Sequence, residues 1–385
     1  MKIVIAPDSF KGSLTAKQVG EAIRSGILRA LPQSELIVKP MADGGEGTMH
    51  CLVDATDGRI LTATVKNPLG QDISAEFGIL GDGVTCVIEM AAASGLYLIS
   101  AADRDPFVTT TYGFGQLITA GLDQGCRKFI LGLGGSATND GGVGMLQALG
   151  YVLLDQDDQP LSFGGGELSR LSRIDTSQVN KRLADCHFVI ACDVTNPFVG
   201  PNGASHVFGP QKGATPEMVL QLDDHLRHFA DLIEKTRGIA IHDLPGTGAA
   251  GGVAGALLAF LNGQLRSGIE IVIETTGLAE AMDKANLVIT GEGQVDFQTA
   301  QGKTPCGVAQ VAQRYGIPVI VLAGSIGNGI DTLYEKGVSA VVSITNKPMT
   351  LDQSMLEAAS LLEQTAEQVM RIATIPLQHS VNRIF

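Results

Sequence analysis

Two acids and a lysine in one short connection are the strongest chemical signal in this sequence. Residues 287–309 begin with an apolar run typical of a buried parallel strand. A glycine-flanked loop with Glu292 and Asp296 follows, and Lys303 stands just before a helix with Pro305 in its first turn. Helix N-termini attract phosphate and carboxylates bind Mg²⁺. An ordinary strand–helix turn would explain the glycines, but two acids and a lysine together favour a site for an anion and its cation.

Two earlier loops also combine acids with glycine after an apolar strand. One follows a strand at residues 3–6 and the other follows a strand at residues 36–38. Their notable residues are Asp8, Ser9, Lys11 and Ser13 in the first loop, and Asp43, Gly44, Gly45 and Glu46 in the second. Each acid alone could be a helix cap. The acidic loops at residues 43–48 and 292–296, taken together at strand ends of one sheet, favour a function.

The middle of the chain adds three polar loops. Residues 132–142, with Gly135 and Ser136, follow the apolar strand at 129–131. Asp193 directly follows a strand at 187–192 and could be a general base or a turn acid before Pro197. Gln211 and Lys212 lie in the polar loop 208–213.

The elements that must position these loops indicate a discontinuous α/β architecture. Residues 1–60 and 284–385 show a strand–helix rhythm that predicts a flavodoxin-like, parallel five-stranded sheet. Residues 61–283 begin with three antiparallel strands and predict an inserted second mixed α/β domain. With strand order 2-1-3-4-5, the loops carrying Asp8 and Lys11 should meet those carrying Glu292 and Asp296. One amphipathic helix, with an apolar face from Leu351 to Val369, should close the fold.

Composition limits the partners. A length of 385 residues predicts two domains, and a net charge of -13 argues against nucleic acid or an anionic membrane as a partner. The six scattered cysteines and the lack of a secretory pattern or membrane span predict a cytoplasmic protein without zinc. The oligomeric state stays open, with a homodimer as one option.

Two alternative functions need consideration. Residues 132–137 satisfy G-x-G-x-x-A after a strand, with Asp155 about twenty residues on, which is the local pattern of an NAD-dependent oxidoreductase. A non-catalytic sensor with a two-domain cleft is the second alternative. The Walker A pattern fails because Phe297 occupies the position where a glycine is required upstream of Lys303. No histidine lies in a loop comparable to those of Ser9 and Ser136, which disfavours a serine hydrolase.

Several longer strings resemble the bacterial class I glycerate kinases. They are spread over nearly the whole chain, at residues 1–14, 42–48, 87–96, 131–142, 208–215, 249–252 and 288–299. The resemblance implies a flavodoxin-like domain with an inserted α/β domain and an active site in the cleft between them. It also implies transfer of the γ-phosphoryl group of ATP to D-glycerate, with 2-phosphoglycerate as the product. The oxidoreductase alternative becomes weaker accordingly.

The resemblance suggests roles for the candidate residues as a hypothesis. Phosphoryl transfer needs positioning and charge neutralisation more than covalent chemistry. Lys11 and the N–H groups of residues 9–13 would neutralise phosphate, and Asp193 or Asp8 would accept the glycerate hydroxyl proton. The other expected ligands are Gly44, Gly45, Gly135, Ser136, Gln211, Lys212 and Lys303 for the substrates, and Asp43, Glu46, Glu292 and Asp296 for Mg²⁺. Residue spacing alone leaves open which acid is the base and which binds the metal.

Overall fold

The computed structural model describes residues 1–375, which form alternating strands and helices. The strands are β1 (Lys2–Ile5), β2 (Glu35–Val38), β3 (Arg59–Lys66), β4 (Asp72–Ile79), β5 (Thr85–Glu89), β6 (Lys128–Gly132), β7 (Val152–Leu154), β8 (Arg173–Asp175), β9 (His187–Ala191), β10 (Gln264–Arg266), β11 (Leu287–Val295), β12 (Val319–Ile326) and β13 (Val338–Ser343). The α-helices are α1 (Ala16–Ala30), α2 (Thr48–Ala55), α3 (Ala91–Ser94), α4 (Tyr112–Asp123), α5 (Val143–Ala148), α6 (Ala204–Phe208), α7 (Pro216–Arg237), α8 (Val253–Leu261), α9 (Gly268–Thr276), α10 (Leu278–Met282), α11 (Thr304–Arg314), α12 (Asp331–Glu335), α13 (Leu351–Leu356) and α14 (Ala358–Ala373). Short 3-10 segments occupy Leu96–Leu98, Ala101–Asp103, Gly165–Arg170, Lys181–Asp185, Pro210–Lys212, Ala249–Gly252 and Thr299–Gln301.

The chain divides into two compact units. We call residues 1–42, with the described residues from 273 onward, the flavodoxin-like unit, and residues 43–272 the inserted unit. Each unit has its own apolar core.

These boundaries differ from the predicted ones, which lay after residue 60 and before residue 284. The helix α2 belongs to the inserted unit because its Met49 and Val53 pack against Gly78 of β4. The helix α10 belongs to the flavodoxin-like unit, where it packs against α11. Side-chain packing that the sequence does not show therefore sets both boundaries.

The flavodoxin-like unit contains the predicted parallel sheet. Its order is β2-β1-β11-β12-β13, with β1 paired in parallel to both β2 and β11. If the five strands are numbered by their order along this unit, their order in the sheet is 2-1-3-4-5. The predicted fold class is therefore confirmed. The register pairs Val4 with Val288 and Ile5 with Ile289, which places the carboxyl ends of β1 and β11 side by side.

Helices cover this sheet. Alternating apolar residues of β1 and β11 pack with α1 and α14 in one core, and α11 packs against β11 and β12. Thr15 caps α1 through a capping box with Gln18. Gly26 of α1 lies so close to the carbonyl oxygen of Glu363 in α14 that any larger side chain would collide with it. This close packing joins α1, near the start of the chain, to α14, the last helix within residues 1–375.

Two local predictions for this unit were wrong. The strand β11 does not stop at Ile289 but continues to Val295, because Glu292 and Val295 pair with Ala323 and Ile326 of a longer β12. The closing helix is two helices, α13 and α14, separated at Glu357. Leu351, which was expected on the buried face, is 74% exposed.

The inserted unit is built on a mixed six-stranded sheet. Its order is β10-β9-β6-β5-β4-β3, with antiparallel pairing from β3 to β5 and parallel pairing from β5 to β10. The strands β7 and β8 form a separate two-stranded sheet. The three antiparallel strands were predicted from their turn residues. The parallel arrangement puts the carboxyl ends of β5, β6, β9 and β10 at one edge.

No helix within residues 1–375 is both long enough and apolar enough to cross a membrane.

Candidate active site

A cavity of about 470 Å³ lies in the inserted unit. Residues from the loops after β6 and β9 line it, together with the loop before α2 and the 3-10 segment at Pro210–Lys212. Its lining includes eight of the residues predicted as site residues: Asp43, Gly44, Gly45, Gly135, Ser136, Asp193, Gln211 and Lys212. These eight predicted residues, which are spread between positions 43 and 212, thus line one cavity.

Asp193 has the environment of a proton acceptor. Its Oδ1 accepts a hydrogen bond from the backbone N–H of Gly268, at 3.1 Å. Partial burial raises the pKa of its carboxyl group, and the nearby acids Asp43 and Glu270 raise it further. Hydrogen bonds from the Ser267 side chain and the Gly268 N–H act in the opposite direction. A carboxylate with a raised pKa takes a proton more readily, as a general base must.

Lys212 is a buried lysine in the wall of the same cavity. It is only 1% exposed, and its Nζ contacts Ser136 Oγ at 2.9 Å and the carbonyl oxygen of Thr138 at 2.6 Å. Burial lowers the pKa of its amino group to about 7, although the field of Asp140 opposes the shift. Ser136 and Lys212 therefore form a buried polar pair in the wall of the cavity.

The glycine-rich loop after β6 is held from behind by Asp140. This fully buried carboxylate accepts hydrogen bonds from the N–H and the hydroxyl of Thr111, at 2.9 and 2.8 Å, and from the N–H groups of Gly142 and Gly144. Burial raises the pKa of Asp140, and these four donors lower it. The network fixes the loop that presents Ser136.

The loop before α2 requires glycine for its shape. Gly44 has φ +92°, and a Cβ there would lie 2.7 Å from the Cα of Gly268. Asp43 Oδ1 accepts a hydrogen bond from the N–H of Gly45 at 3.0 Å. Glu46 is exposed and does not line the cavity. Of the predicted residues in this loop, Asp43, Gly44 and Gly45 therefore line the cavity and Glu46 does not.

The loop after β1 belongs to the flavodoxin-like unit. Asp8 accepts hydrogen bonds from Ser9 N–H at 2.6 Å and from Thr304 Oγ1, at the start of α11, at 2.6 Å. Ser13 donates its hydroxyl to the carbonyl oxygen of Met355 at 2.6 Å. Lys11 is exposed. Asp8 thus links this loop to a helix N-terminus, and the Ser13 hydroxyl is already engaged.

The predicted meeting of the first and third strand ends occurs within this unit. Asp8 N–H donates to the carbonyl oxygen of Gly291 at 2.8 Å, and Gly293 lies beside the backbone of Lys11. Glu292 is buried and accepts a hydrogen bond from Thr299 Oγ1 at 2.5 Å.

Asp296 and Lys303 complete this edge of the flavodoxin-like unit. Asp296 accepts hydrogen bonds from Gln298 N–H at 2.9 Å and from the Gln294 side chain at 3.1 Å. Lys303 is half-buried at the N-cap position of α11. The acids and the lysine of the first motif thus lie along the carboxyl ends of β1 and β11.

The carboxylates predicted to bind Mg²⁺ are hard oxygen donors. Within residues 1–375, no group of three or more His, Cys, Asp or Glu side chains is placed to hold a metal ion. In phosphate-handling sites Mg²⁺ takes one or two carboxylates plus substrate phosphates and water. The hard oxygen atoms of Glu292 and Asp296 fit that chemistry if a nucleotide supplies the remaining ligands.

Residues 3–374 match the model of the glycerate kinase family. This chain belongs to that family.

Individual relatives agree. A Haemophilus influenzae protein named glycerate kinase is 50% identical over 97% of this chain and 98% of its own length. An Escherichia coli protein named glycerate 2-kinase is 47% identical over 99% of this chain and 100% of its own length. A crystal structure from Salmonella typhimurium LT2, described as a candidate glycerate kinase 2, has a TM-score of 0.90 and 48% identity, with 97% and 98% of the two chains covered. The family resemblance and the expectation of a kinase are confirmed.

A glycerate kinase assignment agrees with the geometry around Asp155. The loop after β6 runs for ten residues before α5 begins at Val143, so it does not lead directly into a helix as a dinucleotide loop does. Asp155 follows β7 in the small second sheet and pairs with Arg170 at 2.6 Å. It is therefore not at the end of a strand that neighbours β6, and the oxidoreductase pattern was a chance match.

Sequence reasoning missed several residues that support the walls of this cavity. The main ones are Glu89, Thr111, Asp140, Ser267 and Gly268. Glu89 ends β5 and accepts a hydrogen bond from Met49 N–H of α2 at 2.9 Å. Ser267 and Gly268 follow the three-residue β10, Gln-Leu-Arg, which has no apolar run to mark it as a strand. Only Asp140, in the Asp-Gly-Gly turn before α5, had a local signal.

Proposed function

We propose that this chain transfers the γ-phosphoryl group of ATP to D-glycerate and forms 2-phosphoglycerate. Family membership supports a glycerate kinase, and the name glycerate 2-kinase of the Escherichia coli relative supports the 2-position. The observation that carries the proposal is the cavity of the inserted unit. An acid with a raised pKa (Asp193) and a buried lysine (Lys212) line it together, as a small hydroxy acid would require.

Asp193 is the proposed base. Its carboxylate accepts the proton of the glycerate hydroxyl while that oxygen attacks the γ-phosphorus and the bond to the β–γ bridging oxygen breaks. The N–H of Gly268 orients the carboxylate by holding Oδ1. Asp8 was the other candidate. Its two oxygens accept hydrogen bonds from Ser9 and from Thr304 at the start of α11, so we assign it to positioning the loop after β1.

Lys212, Ser136 and Gln211 are the proposed anion ligands of the cavity. A hydroxyl and an amino group at 2.9 Å from each other can together hold a carboxylate or a phosphate. The backbone of Gly135, with φ +73°, turns the loop so that it lines the cavity beside Ser136. Gly44 and Gly45 line the cavity with their backbone, where a side chain would reduce the space.

The nucleotide phosphates are proposed to bind at the carboxyl ends of β1 and β11. The side chains of Lys11 and Lys303, with the backbone N–H groups of residues 11 and 12, would supply positive charge there. The N–H groups of Ser9, Phe10 and Ser13 already donate hydrogen bonds within the loop. Mg²⁺, when bound with the nucleotide, neutralises the charge that develops on the phosphate oxygens. Glu292 and Asp296 would hold it directly or through water, with Asp43 and Glu46 as the other proposed acids. The prediction of a reaction cleft between two domains stays a prediction.

Two measurements on the purified chain test this proposal. The chain should form ADP from ATP and Mg²⁺ only when D-glycerate is present, and chelation of divalent ions should stop the reaction. Thermal denaturation should shift upward with ATP–Mg²⁺ and stay unchanged with NAD. ADP formation without any dependence on glycerate, or stabilisation by NAD alone, would reject the proposal.

A further inference from the structure

The buried amino group of Lys212 contacts only uncharged oxygens. Within residues 1–375, the structure gives its Nζ two partners, Ser136 Oγ and the carbonyl oxygen of Thr138. An ammonium group has three hydrogens to donate. A third hydrogen is therefore available to a molecule in the cavity that Lys212 lines.

The charged groups around Lys212 do not neutralise it directly. Asp140, on the loop before α5, acts on it through its field, and the four donors from residues 111, 142 and 144 already hold that carboxylate. Arg104 donates to the backbone carbonyl of Gln211 next to it. Other titratable groups on the surrounding elements include His206 on α6 and, among the residues lining the cavity, Asp43, Cys192 and Asp193.

The environment makes the charge of Lys212 depend on what occupies the cavity. A buried ammonium ion without an anionic partner is costly, whereas a carboxylate in contact with it stabilises the charged form. We infer that Lys212 binds the carboxylate of the acceptor acid as an ammonium ion that forms when the acid enters, so that acid binding takes up a proton from solvent. This inference rests on the proposed function, because it takes D-glycerate as the acid.

Proton-coupled binding has a defined pH dependence. Burial lowers the pKa of Lys212 to about 7 in the free enzyme. At pH 8 the binding-competent ammonium form is therefore about one tenth of the population, and the apparent Kd of glycerate should rise about tenfold for each further pH unit. Below pH 6 the amino group is already charged. Titration of Lys212 should therefore not change the Kd of glycerate in this range, and glycerate binding should transfer almost no proton to Lys212.

Calorimetry measures this uptake. D-Glycerate is titrated into the full chain that holds a non-hydrolysable ATP analogue with Mg²⁺, in two buffers of different ionisation enthalpy. Linkage gives an expected uptake of about 0.9 proton per glycerate at pH 8 and about 0.1 at pH 6. A titration of the analogue alone is expected to show no such uptake. This second arm distinguishes a carboxylate ligand from a phosphate ligand.

Variants assign the proton to one residue. Lys212→Met should abolish the uptake at pH 8 and weaken glycerate binding. Asp193→Asn should retain the uptake at pH 8, which excludes Asp193 as its source. Lys235→Met, at an exposed lysine of α7, is the matched control and should behave as the wild-type chain.

Several results would overturn the inference. They are glycerate binding without uptake at pH 8, uptake that persists in Lys212→Met, and uptake caused by the nucleotide analogue alone. If Lys212→Met fails to fold, the wild-type pH profile decides by itself, since a midpoint far from pH 7 contradicts the inference. The complete absence of glycerate binding would overturn the proposed function as well, whereas binding without uptake leaves the proposed function intact.

Discussion

At the scale of single residues, the proposed chemistry depends on two groups whose pKa values move away from their ordinary values. Partial burial and the neighbouring acids Asp43 and Glu270 raise the pKa of Asp193. Burial lowers the pKa of Lys212. Both shifts bring the pKa values nearer to neutral pH, where a group can gain or lose a proton during the reaction.

Asp193→Asn removes the proposed base and keeps the shape of the side chain. We expect kcat to fall roughly 10²–10⁴-fold, the range that general-base catalysis contributes, with little change in the melting temperature. The wild-type kcat/KM should fall as pH drops through the raised pKa of Asp193, since the protonated acid accepts nothing. Asp224→Asn, at an exposed acid of α7, is the control. Near-normal kcat in a folded Asp193→Asn chain would remove Asp193 from this role.

Lys212→Met should change how stability depends on pH. The amino group has an ordinary pKa of 10.5, and its pKa in the folded chain is about 7. Between these values the unfolded chain binds more protons at this residue, so its contribution to the free energy of unfolding grows as pH rises from 7 to 10.5. The wild-type chain should therefore gain stability relative to Lys212→Met over this window. Urea unfolding of both chains at pH 7 and pH 9.5 measures the difference, and a constant difference would contradict the burial argument.

At the scale of elements, the ends of parallel strands decide which residues meet. The strands β6 and β9 pair in register, Gly132 opposite Ala191, so the loops that follow them carry Ser136 and Asp193 to the same cavity. The strands β1 and β11 do the same for Asp8 and Gly291. Apolar runs in the sequence were enough to predict these strands. The topology rule for flavodoxin-like sheets was enough to predict that the ends of β1 and β11 lie side by side.

The remaining contacts of the site could not be predicted because they join segments that no local pattern relates. Gly268 supports Asp193 from 75 positions away, and Thr304 binds Asp8 from 296 positions away. Glu292 was placed in a loop because Gly291 and Gly293 flank it, but pairing with β12 keeps these glycines in the strand. A strand that continues through glycines depends on its neighbour, which the local sequence does not specify.

Glu89 allows a test at the scale of secondary-structure elements. It ends β5 and accepts the N–H of Met49 at 2.9 Å at the start of α2, directly after the loop of Asp43 and Gly44. Burial raises the pKa of Glu89, while hydrogen bonds from Met49 N–H and Gly47 N–H lower it. Glu89→Ala should cost about 1–2 kcal/mol of stability, as the loss of a helix cap does, and should raise the KM of glycerate more than it lowers kcat.

The conservative variant separates positioning from mere destabilisation. Glu89→Gln keeps an acceptor oxygen and should restore both KM and the free energy of unfolding. Glu76→Ala, at a half-exposed glutamate of β4 that pairs with His50 at 3.5 Å, is the matched control and should change stability by less than about 1 kcal/mol. An unchanged KM in Glu89→Ala would show that this cap does not position the loop.

At the scale of the whole molecule, the described residues 1–375 form two compact units from three stretches of sequence. The flavodoxin-like unit joins the first 42 residues to the described residues after 272 because β1 lies between β2 and β11. The fold class and the discontinuity could be predicted from the rhythm of strands and helices. The unit boundaries could not, because α2 and α10 are assigned by what they pack against, not by their own sequences.

The identity of the product tests the central claim most directly. The purified chain is incubated with ATP, Mg²⁺ and D-glycerate, and the mixture is measured by ³¹P NMR. We predict ADP together with a phosphomonoester doublet, because phosphorus on the C2 oxygen couples to the single hydrogen of C2. A triplet, from phosphorus on the C3 oxygen beside two hydrogens, would contradict transfer to the 2-hydroxyl, and inorganic phosphate as the only new monophosphate would contradict phosphoryl transfer to glycerate altogether.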